Sequence, residues 1–203
     1  LRRKDQCLII VLLVILVLVL SSCQLETPIN ITLTEEERQL LLEHSFYSPK
    51  VARWRDGAII KVYDSTNFLY LDYVLSEWNK VFEGKIFLVK TENSFEANIV
   101  IYFEDLEGDL GGLAITYYEE PGRIYKGEIK IDPIKGGYPA LYLHELGHVL
   151  GCHGHLKEGL MHSPIMGEEI DEYTKYYFQL LYSLPIGWDL SRKGALAPFQ
   201  FLK

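Results

Sequence analysis

The amino-acid sequence predicts an α+β domain with a single core, in which one sheet is covered by helices. The first observation is order. Strand-like and helix-like runs follow one another as strand, helix, three or four strands, helix, loop, helix. The second is composition: 48% hydrophobic and 24% charged residues over 203 positions suit a packed core of about one domain and exclude wholesale disorder, collagen and coiled coil. The third is the lack of an internal repeat, a low-complexity tract or a linker at which a second domain would begin. Three cysteines, Cys7, Cys23 and Cys152, do not make a disulfide framework, so packing must hold the fold.

Residues 1–22 read as an export signal. Arg2, Arg3 and Lys4 precede an unbroken apolar run from Cys7 to Leu20, which is short for a membrane span of about 20 residues. The run ends in Leu20-Ser21-Ser22-Cys23, which resembles a bacterial lipobox, and that resemblance implies a lipid on Cys23 as the first mature residue. An uncleaved single-pass anchor or an ordinary secretory signal cut near Ser22 are the alternatives; all three export the rest of the chain. The expected location is the outer face of a bacterial-type cell membrane or the outer membrane. The formal net charge is −8, so attachment to anionic lipid would depend on the acyl chains rather than on a basic patch. The same charge, with no basic run beyond Arg2-Arg3-Lys4, argues against nucleic acid as a partner.

Residues 23–50 are expected to form a tether and a short helix. Pro28 and Asn30 interrupt any periodicity, and Thr34 with Glu37 has capping-box spacing ahead of Leu40, Leu41 and Leu42, which predicts a helix over 35–44. A strand pattern follows within 53–63, where Ile60 and Val62 share a face. From Phe68 to Phe82, the residues Tyr70, Tyr73, Val74, Trp78, Val81 and Phe82 return at three- and four-residue steps, which predicts an amphipathic helix with its aromatic stripe in the core. Four β-rich runs, 85–90, 98–103, 113–118 and 125–131, are separated by Gly, Asn, Asp, Glu and Pro. Two further helices are predicted over about 138–150 and 171–184. Residues 191–203 read as a tail.

Chemistry is concentrated in the run from His144 through Glu145, Leu146 and Gly147 to His148. On a helix, a spacing of four puts both imidazoles on one face, so their nitrogens can reach one Zn²⁺ while Glu145 stands beside the remaining coordination positions. A catalytic zinc takes three protein ligands and keeps another position for water. Gly151 can end the helix in a left-handed conformation and turn the chain back, which offers His153 or His155 as the third.

The stretch His144 to His155 resembles the zinc signature H-E-x-x-H-x-x-G-x-x-H of the metzincin clan of metalloendopeptidases. The order of elements is similar to that of the matrixin branch over roughly residues 51–185: Arg53-Trp54 before the first strand, a helix containing Trp78, the strand 99–103, Leu113-Ala114, and a hairpin ending in Lys130-Ile131-Asp132. The resemblance implies a zincin fold with a mixed twisted sheet of four to five strands, a backing helix, an active-site helix and a C-terminal helix, within a peptidase domain spanning 51–190. It also implies a methionine turn under the metal, at Met161 by spacing or at Met166 as the alternative.

The usual clan spacing puts the third ligand at position 154, which is Gly154 here. A variant with one inserted residue, G-x-x-G-H, matches Gly151 to His155 and favours His155, with His153 as the alternative. A rival, thermolysin-like arrangement would draw the ligand from Glu168, Glu169 or Glu172; the helix break at Gly151 argues against it. His162 reads as a surface or pocket-wall residue, and Cys152 as a small packing residue. Animal matrixins carry a second, structural zinc held partly by histidines, but residues 52–143 contain none, so one zinc is expected. Asp105, Asp109 and the carbonyls near Gly108, Gly111 and Gly112 offer oxygen donors for calcium, although such acidic, glycine-rich loops are more often solvated turns.

By resemblance, the implied reaction is hydrolysis of internal peptide bonds in a protein or peptide substrate, with Glu145 as general base and the strand Leu113, Ala114, Ile115 and Thr116 pairing with the extended substrate. The alternative is a surface lipoprotein that binds zinc without catalysis and acts as an adhesin or partner-binding module. Nothing in the sequence specifies an oligomeric state.

Overall fold

A computed structural model describes residues 31–191, and its described residues from Leu33 onward belong to one compact unit. The expected signal segment, the expected lipidation site Cys23, the expected tether as far as Asn30 and nearly all of the expected tail lie outside the described residues. The class is α+β, as predicted, with a five-stranded mixed sheet and four α-helices among the described residues. None of these helices is long and apolar enough to cross a membrane.

Helix α1, Glu35–His44, begins at a complete capping box: Glu37 N donates to the Thr34 hydroxyl at 3.1 Å, and Thr34 N donates to Glu37 Oε2 at 2.7 Å. The helix packs into the same unit. Tyr177 donates its hydroxyl proton to the His44 carbonyl at 2.8 Å, and Arg38 donates to the Leu190 carbonyl at 3.1 Å. Strand β1 is Ala58–Asp64, helix α2 is Leu71–Phe82, and β2, β3, β4 and β5 are Ile86–Lys90, Ile99–Phe103, Gly112–Glu119 and Arg123–Ile131. Helix α3 is Pro139–Leu150 and α4 is Glu172–Ser183.

The strand order is β2-β1-β3-β5-β4, with every neighbouring pair parallel except β4 and β5. Alternation puts Ile60, Val62, Ile86, Leu88, Ile99, Ile101, Ile129 and Ile131 on the face that meets the helices, while Ile59 and Phe87 point the other way and stay exposed. Because β4 pairs only with β5 among the described strands, it forms one edge of the sheet.

The stripe of α2 is narrower than its periodicity suggested. Val74, Trp78, Val81 and Phe82 are buried, but Tyr70 and Tyr73 are 55% and 40% exposed. Tyr70 is the residue before the helix, outside its regular repeat, and Tyr73 lies beside the polar face occupied by Asp72 and Ser76. Trp78 stands at the centre of the helix layer. Its ring meets Phe178 of α4 edge-on at 4.6 Å, and its indole N–H donates to the Leu143 carbonyl of α3 at 3.1 Å.

Candidate metal centre and cleft

Helix α3 carries the two histidines four residues apart and is buried along almost its whole length. A helix that ends inside a protein must find partners for its last carbonyls. Cys152 N donates to the Gly147 carbonyl at 3.2 Å and Gly151 N to that of His148 at 3.1 Å. The Trp54 indole donates to Val149 O at 2.9 Å, and the Tyr182 hydroxyl donates to Leu150 O at 2.9 Å. Gly151 makes the turn at φ +128°, and a Cβ there would press on Leu181 and on the Ala52 carbonyl.

The chain then brings His155 back to the helix. The ligand atoms of His144, His148 and His155 lie within 4.8 Å of one another, and the His155 ring is 5.1 Å from that of His144 and 5.2 Å from that of His148. His153 is drawn elsewhere: its N–H donates to the His44 carbonyl at 2.7 Å and its ring lies 4.8 Å from that of Phe46. Glu168, Glu169 and Glu172 are exposed and join no such group; Glu172 sits in the first turn of α4, where the helix dipole favours a carboxylate.

Hydrogen bonds decide what the imidazoles offer. Nδ1 of His144 is 2.7 Å from the Leu160 carbonyl, and Nδ1 of His148 is 2.8 Å from the Cys152 carbonyl. A carbonyl only accepts, so each Nδ1 carries the proton and, in a neutral ring, each Nε2 presents a lone pair. Burial keeps both rings neutral, lowering His144 to about 4 and His148 to about 3. The two Nε2 atoms are 3.1 Å apart. Two buried lone pairs thus face each other with no proton between them, an arrangement that a shared cation relieves. Two nitrogens on one tetrahedral zinc at about 2.0–2.1 Å would be roughly 3.3 Å apart, so the donor set fits such an ion. Three imidazoles are compatible with zinc without identifying the metal.

Glu145 is 5% exposed, and burial raises its carboxyl to about 8. Its side chain lies against the start of β4, since a Cβ on Gly112 would come within 2.5 Å of Oε1. The cleft beside it, about 690 Å³, is lined by Gly112, Leu113 and Ala114 of the sheet edge, by Phe46, and by Pro164 and Ile165. Ile115 and Thr116 continue the same strand, and the Thr116 hydroxyl donates to the His148 carbonyl at 3.3 Å.

Of the two methionines, Met161 is fully buried and its sulfur presses on Gly147, between the two helical histidines; any Cβ at Gly147 would collide with it. Met166 is 58% exposed. The ring of His162 stays outside the cluster, with Nδ1 2.9 Å from the Pro164 carbonyl. Cys152 is buried, and its thiol is pushed up by burial.

Several supporting groups escaped sequence reasoning. Phe46, before the expected domain, lines the cleft. Asp171 caps α4 through Tyr173 N and Thr174 N and also accepts from Leu160 N at 2.7 Å, in the residue whose carbonyl holds His144. Burial alone would raise its carboxyl, but hydrogen bonds from Leu160 and Thr174 outweigh that and lower it. Aspartate before a helix is a legible cap; its reach to Leu160 is tertiary.

Asp105 and Asp109 join no metal-binding group among the described residues. Of the glycine carbonyls suggested for calcium, that of Gly108 accepts instead from Lys135 at 2.8 Å, beside Leu106 O at 3.0 Å, and that of Gly111 accepts from Asp132 N at 2.9 Å.

No protein-family model matches the chain, and no curated protein matches it. Among solved structures, the crystal structure of myroilysin is similar to it, at a TM-score of 0.41 and 11% sequence identity, covering 75% of this chain and 97% of that one.

Proposed function

We propose that the protein is a zinc-dependent metalloendopeptidase of metzincin type, close to the matrixins, that hydrolyses internal peptide bonds of protein substrates. The observation that carries the reading is the pair of facing Nε2 lone pairs, 3.1 Å apart, with His155 beside them and an acid in the same cleft. His144, His148 and His155 would hold one zinc ion, which when bound polarises a carbonyl and makes water a nucleophile near neutral pH. Glu145, one residue from the first ligand and itself unligated, takes the proton from the attacking water and returns it to the leaving amine as the C–N bond breaks. No covalent intermediate with the protein is required. The free edge of β4 at Leu113, Ala114, Ile115 and Thr116 offers backbone groups to an extended substrate, which gives affinity with little sequence selectivity. Met161 supplies the packing under the helical ligands that a methionine turn provides.

Residues 1–22 as a signal and Cys23 as a lipidated first residue complete the reading: an exported enzyme held at a membrane by acyl chains. This part rests on sequence, and loss of incorporated labelled palmitate in Cys23→Ser tests it.

The central test is cleavage of an unfolded protein by chain purified from residue 23 onward. Chelator-sensitive cleavage that disappears in Glu145→Ala, while zinc stays bound, is the expected result. Zinc retained without any cleavage by the unmodified chain would instead favour the non-catalytic surface module.

A further inference from the structure

The segment between β3 and β4, residues 104–111, runs directly into the edge strand, and Asp109, Leu110 and Gly111 line the cleft. Several carbonyls of this loop converge on a single positive charge, carried by a side chain that is 36% exposed. The Lys135 ammonium donates to Gly108 O at 2.8 Å and Leu106 O at 3.0 Å, lies 3.5 Å from Leu110 O, and meets Asp132 Oδ2 at 3.3 Å. Three carbonyls and a carboxylate around one charge form a donor set suited to a hard cation.

Asp132 locks the other side of the cage. It is 1% exposed and accepts from Lys135 N at 2.8 Å, Ile134 N at 3.0 Å and Leu106 N at 3.1 Å. These bonds, led by that from the Lys135 backbone, outweigh burial and hold its carboxyl at about 2, so it is ionised at neutral pH. Its own N–H donates to the Gly111 carbonyl at 2.9 Å, at the point where the loop becomes β4. The loop is therefore tied to the turn after β5 from Leu106 to Gly111.

We propose that Lys135 is the internal cation of this loop: its ammonium stands where a divalent ion would otherwise sit, and it positions the β4 wall of the cleft without such an ion. An ammonium has three protons, and its three nearest acceptors are Gly108 O, Leu106 O and Asp132 Oδ2. Taking the ammonium away leaves the oxygens facing one another and turns the cage into a site for an added cation. Lys135 is thus a positioning residue. The inference concerns the loop alone and stands apart from the peptidase reading.

The test uses the purified full chain in detergent, with amide hydrogen exchange over residues 106–111 and the thermal midpoint read with and without millimolar calcium chloride. Wild type is expected to be indifferent to calcium. In Lys135→Ala, exchange over the loop should quicken about tenfold, and calcium should restore both protection and midpoint; adding Asp132→Asn should abolish that rescue. Lys135→Met, which keeps most of the stem without its charge, should behave as Lys135→Ala does. Unchanged exchange in Lys135→Ala, full protection in Lys135→Met, lost protection that calcium leaves unrestored, or equal calcium stabilisation of wild type would each overturn the proposal. None of these readouts requires peptidase activity.

Discussion

The buried end of α3 makes Tyr182→Phe an informative substitution. The Tyr182 hydroxyl is the donor to the Leu150 carbonyl at 2.9 Å, and the residue is 2% exposed. Phenylalanine keeps the ring, so the contacts with Phe82 at 4.6 Å and with the Arg53 guanidinium at 5.2 Å survive. What is lost is the bond to Leu150 O together with the hydroxyl's backbone hydrogen bond with Trp54, and what remains is a carbonyl too buried for bulk water to take its partner's place. Leaving such a buried acceptor unpaired costs about 1–3 kcal/mol. For a chain of this size that lowers Tm by roughly 2–4 °C per kcal/mol. Urea unfolding should show the midpoint falling with an unchanged m-value. Tyr176→Phe is the control. It deletes the same group where the hydroxyl meets Glu37 Oε1 at 2.6 Å on an exposed surface, and it should cost less than about 1 kcal/mol because water takes over. Equal effects of the two substitutions would refute the claim that the carbonyls ending α3 depend on buried side-chain donors.

Three further outcomes are expected. His155→Ala should weaken zinc binding by more than the roughly 10–100-fold typical of a group outside the ligand shell, whereas His153→Ala should leave it nearly unchanged; metal titration followed by mass spectrometry distinguishes them. Gly112→Ala places a methyl group 2.5 Å from Glu145 Oε1 and 2.8 Å from its carboxyl carbon, so the carboxylate must move. Peptide hydrolysis should then fall about a hundredfold at unchanged zinc content. Asp132 and Asp171 have lowered carboxyl pKa values in the fold, so each contributes stability that is complete above the unfolded value near 3.9 and is lost as pH falls through the folded value, about 2 for Asp132. Urea midpoints measured from about pH 5 to pH 2 should decline in wild type and flatten in Asp132→Asn over the lower part of that range.

Where structure depends on neighbours in sequence, the chain is readable without coordinates. The bounds of α1 follow from Thr34 and Glu37, and the pairing of His144 with His148 follows from helical spacing. The choice between His153 and His155 does not, because it turns on the bond from His153 N to His44 O and on the ring of Phe46, more than 100 residues away. Tyr70 and Tyr73 misled for a related reason: periodicity marks a face but does not say how wide the covering layer is. The loop after β3 offered oxygen donors but read more readily as a solvated turn, because its oxygens are local while the cation that meets them comes from Lys135, beyond β5.

Two of the three histidines of the candidate metal centre, His144 and His148, are held from behind by backbone rather than by acids. Histidine ligands are often oriented by a carboxylate, which can itself titrate. Here the partners are the carbonyls of Leu160 and Cys152, which carry no proton, so the Nδ1–H tautomer of each ring does not depend on the ionisation of its partner. Precision then depends on how firmly those peptides are held. Cys152 N is bonded to Gly147 O, within the helix that bears both histidines. Leu160 N is bonded to the cap of α4, while the next residue, Met161, fills the space against Gly147 and accepts from Leu156 N at 2.8 Å through its carbonyl. The segment 156–161 therefore joins the tip of the ligand loop, the underside of α3 and the start of α4. A disturbance in any of these reaches His144 through the Leu160 carbonyl, which makes Asp171, outside the histidine cluster, the acid on which the orientation of His144 depends.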